Sequence, residues 1–198
     1  MARILSETAH TICEGELLQI ENRFRPEMGE ERYLEIIRKK TAILHAVACE
    51  LGGAMGGMDA ERREALHRFG LDLGMAFQIA DDCLDYAGEE AVAGKSLGTD
   101  LHQGKVTLPL IYLMECLSAA DAEWLRGALR EKLSPAVEER IHALVVEHGA
   151  VREALARADA YVQSAKATLA AVGNGAAGAR EVRESLELAA DYIVRRRR

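Results

Sequence analysis

Proline occupies only three of the 198 positions, Pro26, Pro109 and Pro135, and each falls where a helix would stop or begin. Proline ends a helix before itself and is tolerated in a first turn, where its missing N–H is not needed. The long stretches between these points are therefore free to wind. Alanine, leucine, glutamate and arginine dominate them and aromatics make up 5%, a balance that favours helix over sheet. With 49% hydrophobic and 29% charged residues, the chain reads as one globular all-α domain, 1–198, and not as a disordered one.

Apolar spacing predicts a first helix over Ala2–Phe24 and a second over Glu30–Ala54, whose inward stripe is Leu34, Ile37, Thr41, Leu44, Ala48 and Leu51. Gly52, Gly53, Gly56 and Gly57 break the second. A third runs over Ala60–Tyr86, followed by an irregular segment, Ala87–Val106, long enough to suggest function or disorder. Further helices fit Leu108–Leu117, Ala119–Lys132, Pro135–His148, Val151–Ala171 and Arg180–Val194. Ser118 and Ser134 are expected N-caps, and Gly149 and Gly173 expected stops.

Several function classes fall away on composition. A net charge of −7 argues against nucleic acid as a partner. The one basic run, Arg195–Arg198, reads as a solvated helix end matched to the macrodipole. Cys13, Cys49, Cys83 and Cys116 stand far apart without a C-x-x-C pair, and are expected to be buried free thiols of a reducing cytoplasm. The chain shows neither an apolar run of membrane-spanning length nor a signal-peptide pattern at its start, so no transmembrane segment is expected.

The third helix carries the strongest chemical signal. Its stretch Leu71–Tyr86 is largely apolar and should be buried, yet Gln78, Asp81, Asp82 and Asp85 interrupt it at i, i+3, i+4 and i+7, on one face. Neighbouring carboxylates repel, and burying them without a cation is costly. Magnesium takes one or two carboxylates, keeps waters and shares itself with substrate phosphates, which makes it the economical reading. A solvated acidic face on a surface helix is the other. A di-iron bundle is disfavoured, because its Glu-x-x-His pairs are absent.

Just beyond lies G-K-S-L-G-T-D-L-H-Q-G-K-V-T-L-P, Gly94–Pro109. Lys95 and Lys105 suit phosphate oxygens, and the glycines allow close backbone approach. The segment lacks the P-loop pattern, so nucleotide hydrolysis is disfavoured. Asp100 could cap a turn or join a metal site. Lys40 and Thr41 lie within the second helix, and Glu16 and Gln19 one turn apart in the first.

Taken together, these blocks resemble the trans-prenyl diphosphate synthases of the polyprenyl and octaprenyl type. F-Q-I-A-D-D-C-L-D-Y (Phe77–Tyr86) looks like the family's second aspartate-rich motif, and G-K-x-x-G-x-D-L-x-x-G-K-x-T-L-P like the family's segment on its carboxyl-terminal side. K-T-A (Lys40–Ala42) and G-E-L-L-Q (Gly15–Gln19) match earlier blocks in the right order. The resemblance implies an isoprenoid-synthase-type helical bundle around a central cavity, usually a homodimer. It implies Mg2+-dependent condensation of an allylic prenyl diphosphate with isopentenyl diphosphate through an allylic cation. Carried over by position, Asp81 is the leading magnesium ligand, with Asp82 and Asp85 close by or acting through water. Lys40 and Lys95 hold the allylic diphosphate, Thr41 and Gln78 place dipoles near the cation, and Phe77 lines the isopentenyl side. Gln19, Lys105 and Asp100 are further members of the wall.

The match departs from the family in one respect. Its first aspartate-rich motif and its G-G-K-x-x-R-P block are absent from the 198 residues. The expectation is a bundle lacking its amino-terminal helices, incomplete as a catalyst unless another chain supplies them in a heteromer. The alternative is a non-catalytic or regulatory subunit of such a heteromer; a terpene cyclase fits the Gly94–Pro109 segment less well.

Overall fold

The computed structural model describes residues 1–87, 98–170, 172 and 179–195. Among the described residues the chain is all-α with no strand. Helix α1 is Ala2–Glu21, α2 Glu30–Ile37, α3 Ile43–Met55 and α4 Ala60–Ala87. A single turn, α5, covers Thr99–His102; then come α6 Leu108–Cys116, α7 Ala119–Leu129, α8 Pro135–Glu147, α9 Ala150–Leu169 and α10 Ala179–Arg195.

Helix α4 is the axis of the bundle, with α3 and α9 as its main neighbours. On α9 the buried side chains are Ala150, Ala154, Ala158, Val162, Ala165 and Leu169. These recur at helical spacing and are mostly small, so the two helices can approach closely. On the α3 side, closeness comes from α4 itself. A Cβ added at Gly70 would meet the His45 carbonyl oxygen at 2.4 Å, and one at Gly74 the Ala42 Cα at 2.6 Å. Phe69, Met75, Ile79 and Tyr86 of α4 pack with Leu108, Leu110 and Leu113 of α6 in one core.

The expected second helix is in fact two, joined by a π-helical turn, Arg38–Ala42. The extra residue rotates the downstream face. The buried positions run Tyr33, Ile36, Ile37 and then Ala42, Ala46, Val47, a step of five residues at the joint where an α-helix would step three or four. Leu44, expected inside, is 53% exposed, and Ala48 is exposed too.

The first helix ends at Glu21, short of the expected Phe24. Phe24 takes φ 57°, donates its N–H to the Gly104 carbonyl at 2.8 Å, and stacks where a Cβ of Gly104 would sit. Ser118 caps α7 by accepting from the Asp121 N–H at 3.2 Å. Ser134 precedes Pro135 as expected but makes no side-chain cap bond. Gly149, at φ 67°, separates α8 from α9, whereas Gly173 lies outside the described residues. Of the thiols expected to be buried, Cys83 is, Cys49 is half-buried, and Cys13 and Cys116 are exposed.

Candidate active site

Five of the expected residues converge where α2, the π turn, α4 and α5 meet. Asp82 and Asp85 are 6% and 9% exposed, which excludes a solvated acidic face for these two. Asp81 is partly exposed.

Each buried carboxylate has its own set of donors. Asp82 accepts from the Tyr33 hydroxyl at 2.7 Å on one oxygen and from Gln78 Nε2 at 2.8 Å on the other. Gln78 in turn accepts, through Oε1, from the Thr41 hydroxyl at 2.8 Å. Thr41, Gln78, Asp82 and Tyr33 thus form one chain of hydrogen bonds spanning the π turn, α4 and α2. Asp85 accepts from the Thr99 N–H and hydroxyl at 3.1 and 3.0 Å, and from the Asp100 N–H at 2.9 Å. It therefore caps α5 from a distant helix. These donors, invisible in the spacing, do much of what a cation was expected to do. Burial still dominates: it pushes Asp82 up to about 7, with the Asp100 charge adding to it and the Tyr33 and Gln78 bonds opposing it. Burial also raises Asp85, against the N–H groups of Asp100 and Thr99.

Two of the expected lysines are held in ion pairs. Lys40 pairs with Glu16 at 2.6 Å, and Lys105 with Asp100 at 2.6 Å. The bond from Lys40 holds the Glu16 carboxyl below its usual range, aided by the charges of Lys40, Arg23 and Lys105. Gly15 makes the Lys40 contact possible, because its missing side chain lets α1 lie on the π turn; a Cβ there would meet the Lys40 nitrogen at 2.4 Å. A π turn in an otherwise α-helical run often marks a functional position.

Phe77 is half-buried, its ring 5.5 Å from that of His45. Gln19 is half-buried on α1, one turn beyond Glu16. Lys95 lies outside the described residues. Sequence reasoning missed Tyr33, which reads as one more apolar position of α2. It also missed Arg23, which continues the Glu16 and Gln19 spacing at i, i+3 and i+7; that pattern is the signal that would have found it.

Among the described residues no three His, Cys, Asp or Glu side chains are arranged to hold a metal ion by themselves. Asp82 and Asp85 are buried, whereas Asp81 lies partly exposed at the edge of the stripe. One such carboxylate, with water and phosphate oxygens completing the shell, fits magnesium's habit. Among the described residues no helix is long and apolar enough to cross a membrane.

The polyprenyl synthetase family model matches residues 1–145. Heptaprenyl diphosphate synthase component 2 of Bacillus subtilis is 36% identical over 197 residues, covering 98% of this chain and 54% of that protein. Octaprenyl diphosphate synthase of Escherichia coli is 38% identical over 140 residues, 68% of this chain and 43% of that protein. Among solved structures, a polyprenyl synthase from Caulobacter crescentus complexed with calcium and isoprenyl diphosphate superposes with TM-score 0.91 at 39% identity, covering all (100%) of this chain and 59% of that one. The chain thus spans about half the length of the curated relatives it matches. Its all-α bundle is the one these synthases share, and the chain belongs to the polyprenyl synthetase family, whose members are prenyl-transferring enzymes.

Proposed function

We propose that this chain forms the allylic-diphosphate wall of a Mg2+-dependent trans-prenyl diphosphate synthase working in the cytoplasm. The reaction joins an allylic prenyl diphosphate to isopentenyl diphosphate. The observation that supports this reading is the Thr41–Gln78–Asp82 chain of hydrogen bonds, which begins at the residue next to Lys40 and ends at the residue next to the partly exposed Asp81.

Asp81 would hold the ion, with Asp82 and Asp85 close by or acting through water. Magnesium, when bound, supplies charge that stabilises the departing diphosphate. Lys40 and Lys95 grip the same diphosphate, and an incoming phosphate competes with Glu16 for the Lys40 ammonium. Thr41 and Gln78 turn oxygen dipoles toward the allylic cation. Phe77 lines the isopentenyl side, and Gln19 and Lys105 complete the wall. The apolar core around α4 keeps water from the cation.

The assembly is a homodimer, or a heteromer in which another chain supplies the wall facing the stripe. A second reading, a non-catalytic subunit of a heteromeric synthase, draws on the Bacillus subtilis relative, whose name makes it one component of its enzyme. Calorimetry with magnesium and a non-hydrolysable allylic diphosphate separates the two. The catalytic reading expects magnesium-dependent binding that Asp81→Ala removes. Absence of binding by the wild-type chain would favour the regulatory reading.

A further inference from the structure

Tyr33 is 3% exposed, and its hydroxyl reaches across from α2 to the Asp82 carboxylate on α4 at 2.7 Å. Nothing in the proposed reaction uses it directly. Its consequence lies in the direction of the hydrogen bonds.

A carboxylate only accepts. Tyr33 occupies one Asp82 oxygen, so the other is left for a donor, and Gln78 turns its Nε2 there at 2.8 Å. Both Asp82 oxygens are thus occupied, one by each donor. A planar amide that spends its NH2 at one end must offer its carbonyl at the other. Thr41 donates its single hydroxyl proton to that carbonyl at 2.8 Å. At the carbonyl end of the amide, what Thr41 and Gln78 have left for the site is lone pairs; the second Gln78 N–H stays at the Asp82 end.

We propose that Tyr33 is a positioning residue: with Asp82 it fixes the Gln78 amide with its carbonyl toward Thr41, so that the Thr41 end of the amide offers lone pairs and not protons to a cationic allyl group. The proposal rests on the reading of this site as one for an allylic cation. The sign matters, since an amide flipped end for end would turn an N–H toward positive charge. Tyr33→Phe keeps the ring in the core and removes only the donor; the Asp82 carboxylate, no longer anchored to α2, can swing away from Gln78 and leave the amide without the acceptor that orients it.

The test uses the 198-residue chain, magnesium and two diphosphates read by calorimetry. One is neutral in its allyl portion; the other carries an ammonium nitrogen in place of the carbon that becomes cationic. Tyr33→Phe is expected to weaken the ammonium probe about tenfold and the neutral probe by no more than about twofold. Equal loss for both, or no loss for either, overturns the proposal, because a merely structural role would not discriminate.

A second measurement needs no ligand. Hydrogen exchange of the Gln78 side-chain amide, followed by nitrogen-edited NMR, should be slow in the wild type and fast in Tyr33→Phe. An amide that exchanges in the wild type as a surface glutamine does overturns the proposal whatever the probes do. Slow exchange released by Tyr33→Phe, with neither probe bound by the wild type, would sink the functional reading while the positioning role stands.

Discussion

Burial pushes the Asp82 carboxyl from 3.8 to about 7, and this has a consequence for stability as well as chemistry. Between those values the folded chain keeps a proton that the unfolded chain has already released. The contribution of this group to stability is therefore greatest below the unfolded pKa, falls as the pH rises through the window, and levels off above it. A shift of this size is worth on the order of a few kcal/mol. Asp82→Asn cannot ionise, so without divalent metal its stability relative to wild type should rise from about pH 5 to about pH 8, measured by urea unfolding. A gap that stays flat across that range would show that Asp82 is already ionised when folded. The stripe to which Asp82 belongs was legible from spacing alone, because one helix carries all of it. Tyr33 was not, because it lies 49 residues away and only the packing of α2 on α4 makes it a partner.

At the level of elements, the contact between α1 and the π turn is the joint on which Lys40 depends. Gly15→Ala would place a methyl group against the Lys40 backbone nitrogen, and such overpacking costs about 1–3 kcal/mol. Because the strain falls on the turn that presents Lys40 and Thr41, weaker binding of the allylic diphosphate should accompany a lower thermal midpoint. By contrast, Gly52→Ala, with open space around the added carbon, should do neither. Helix number and order were readable from prolines, glycines and apolar spacing. The π turn was not: Arg38, Lys39, Lys40, Thr41 and Ala42 are residues an ordinary α-helix accepts, and the insertion is held by tertiary contacts with α1 and α4. The inward face of α3 was misread for that reason.

For the molecule as a whole, the described residues hold one aspartate stripe, and the 198-residue sequence holds no second aspartate-rich motif. The isolated chain is therefore expected to form no measurable product from farnesyl and isopentenyl diphosphates, and to gain activity when mixed with a chain that carries a first aspartate-rich motif. Product from the pure chain alone would contradict this. Leu5, Leu17 and Ile20 of α1 are 52%, 60% and 49% exposed, apolar surface of the kind that draws chains together. What was legible at this scale was the family; how α1 meets its surroundings was not, since exposure is a property of the assembled bundle. Because α2 and α3 meet through a coil with one residue more than an α-helix would hold, residues 38–42 carry a surplus that the downstream helix does not feel. Dropping one residue there would shorten the step from Ile37 to Ala42 to the four of an ordinary α-helix and keep Ala42, Ala46 and Val47 inward. A one-residue deletion at this point should therefore spare the core and alter only how the turn presents Lys40 and Thr41.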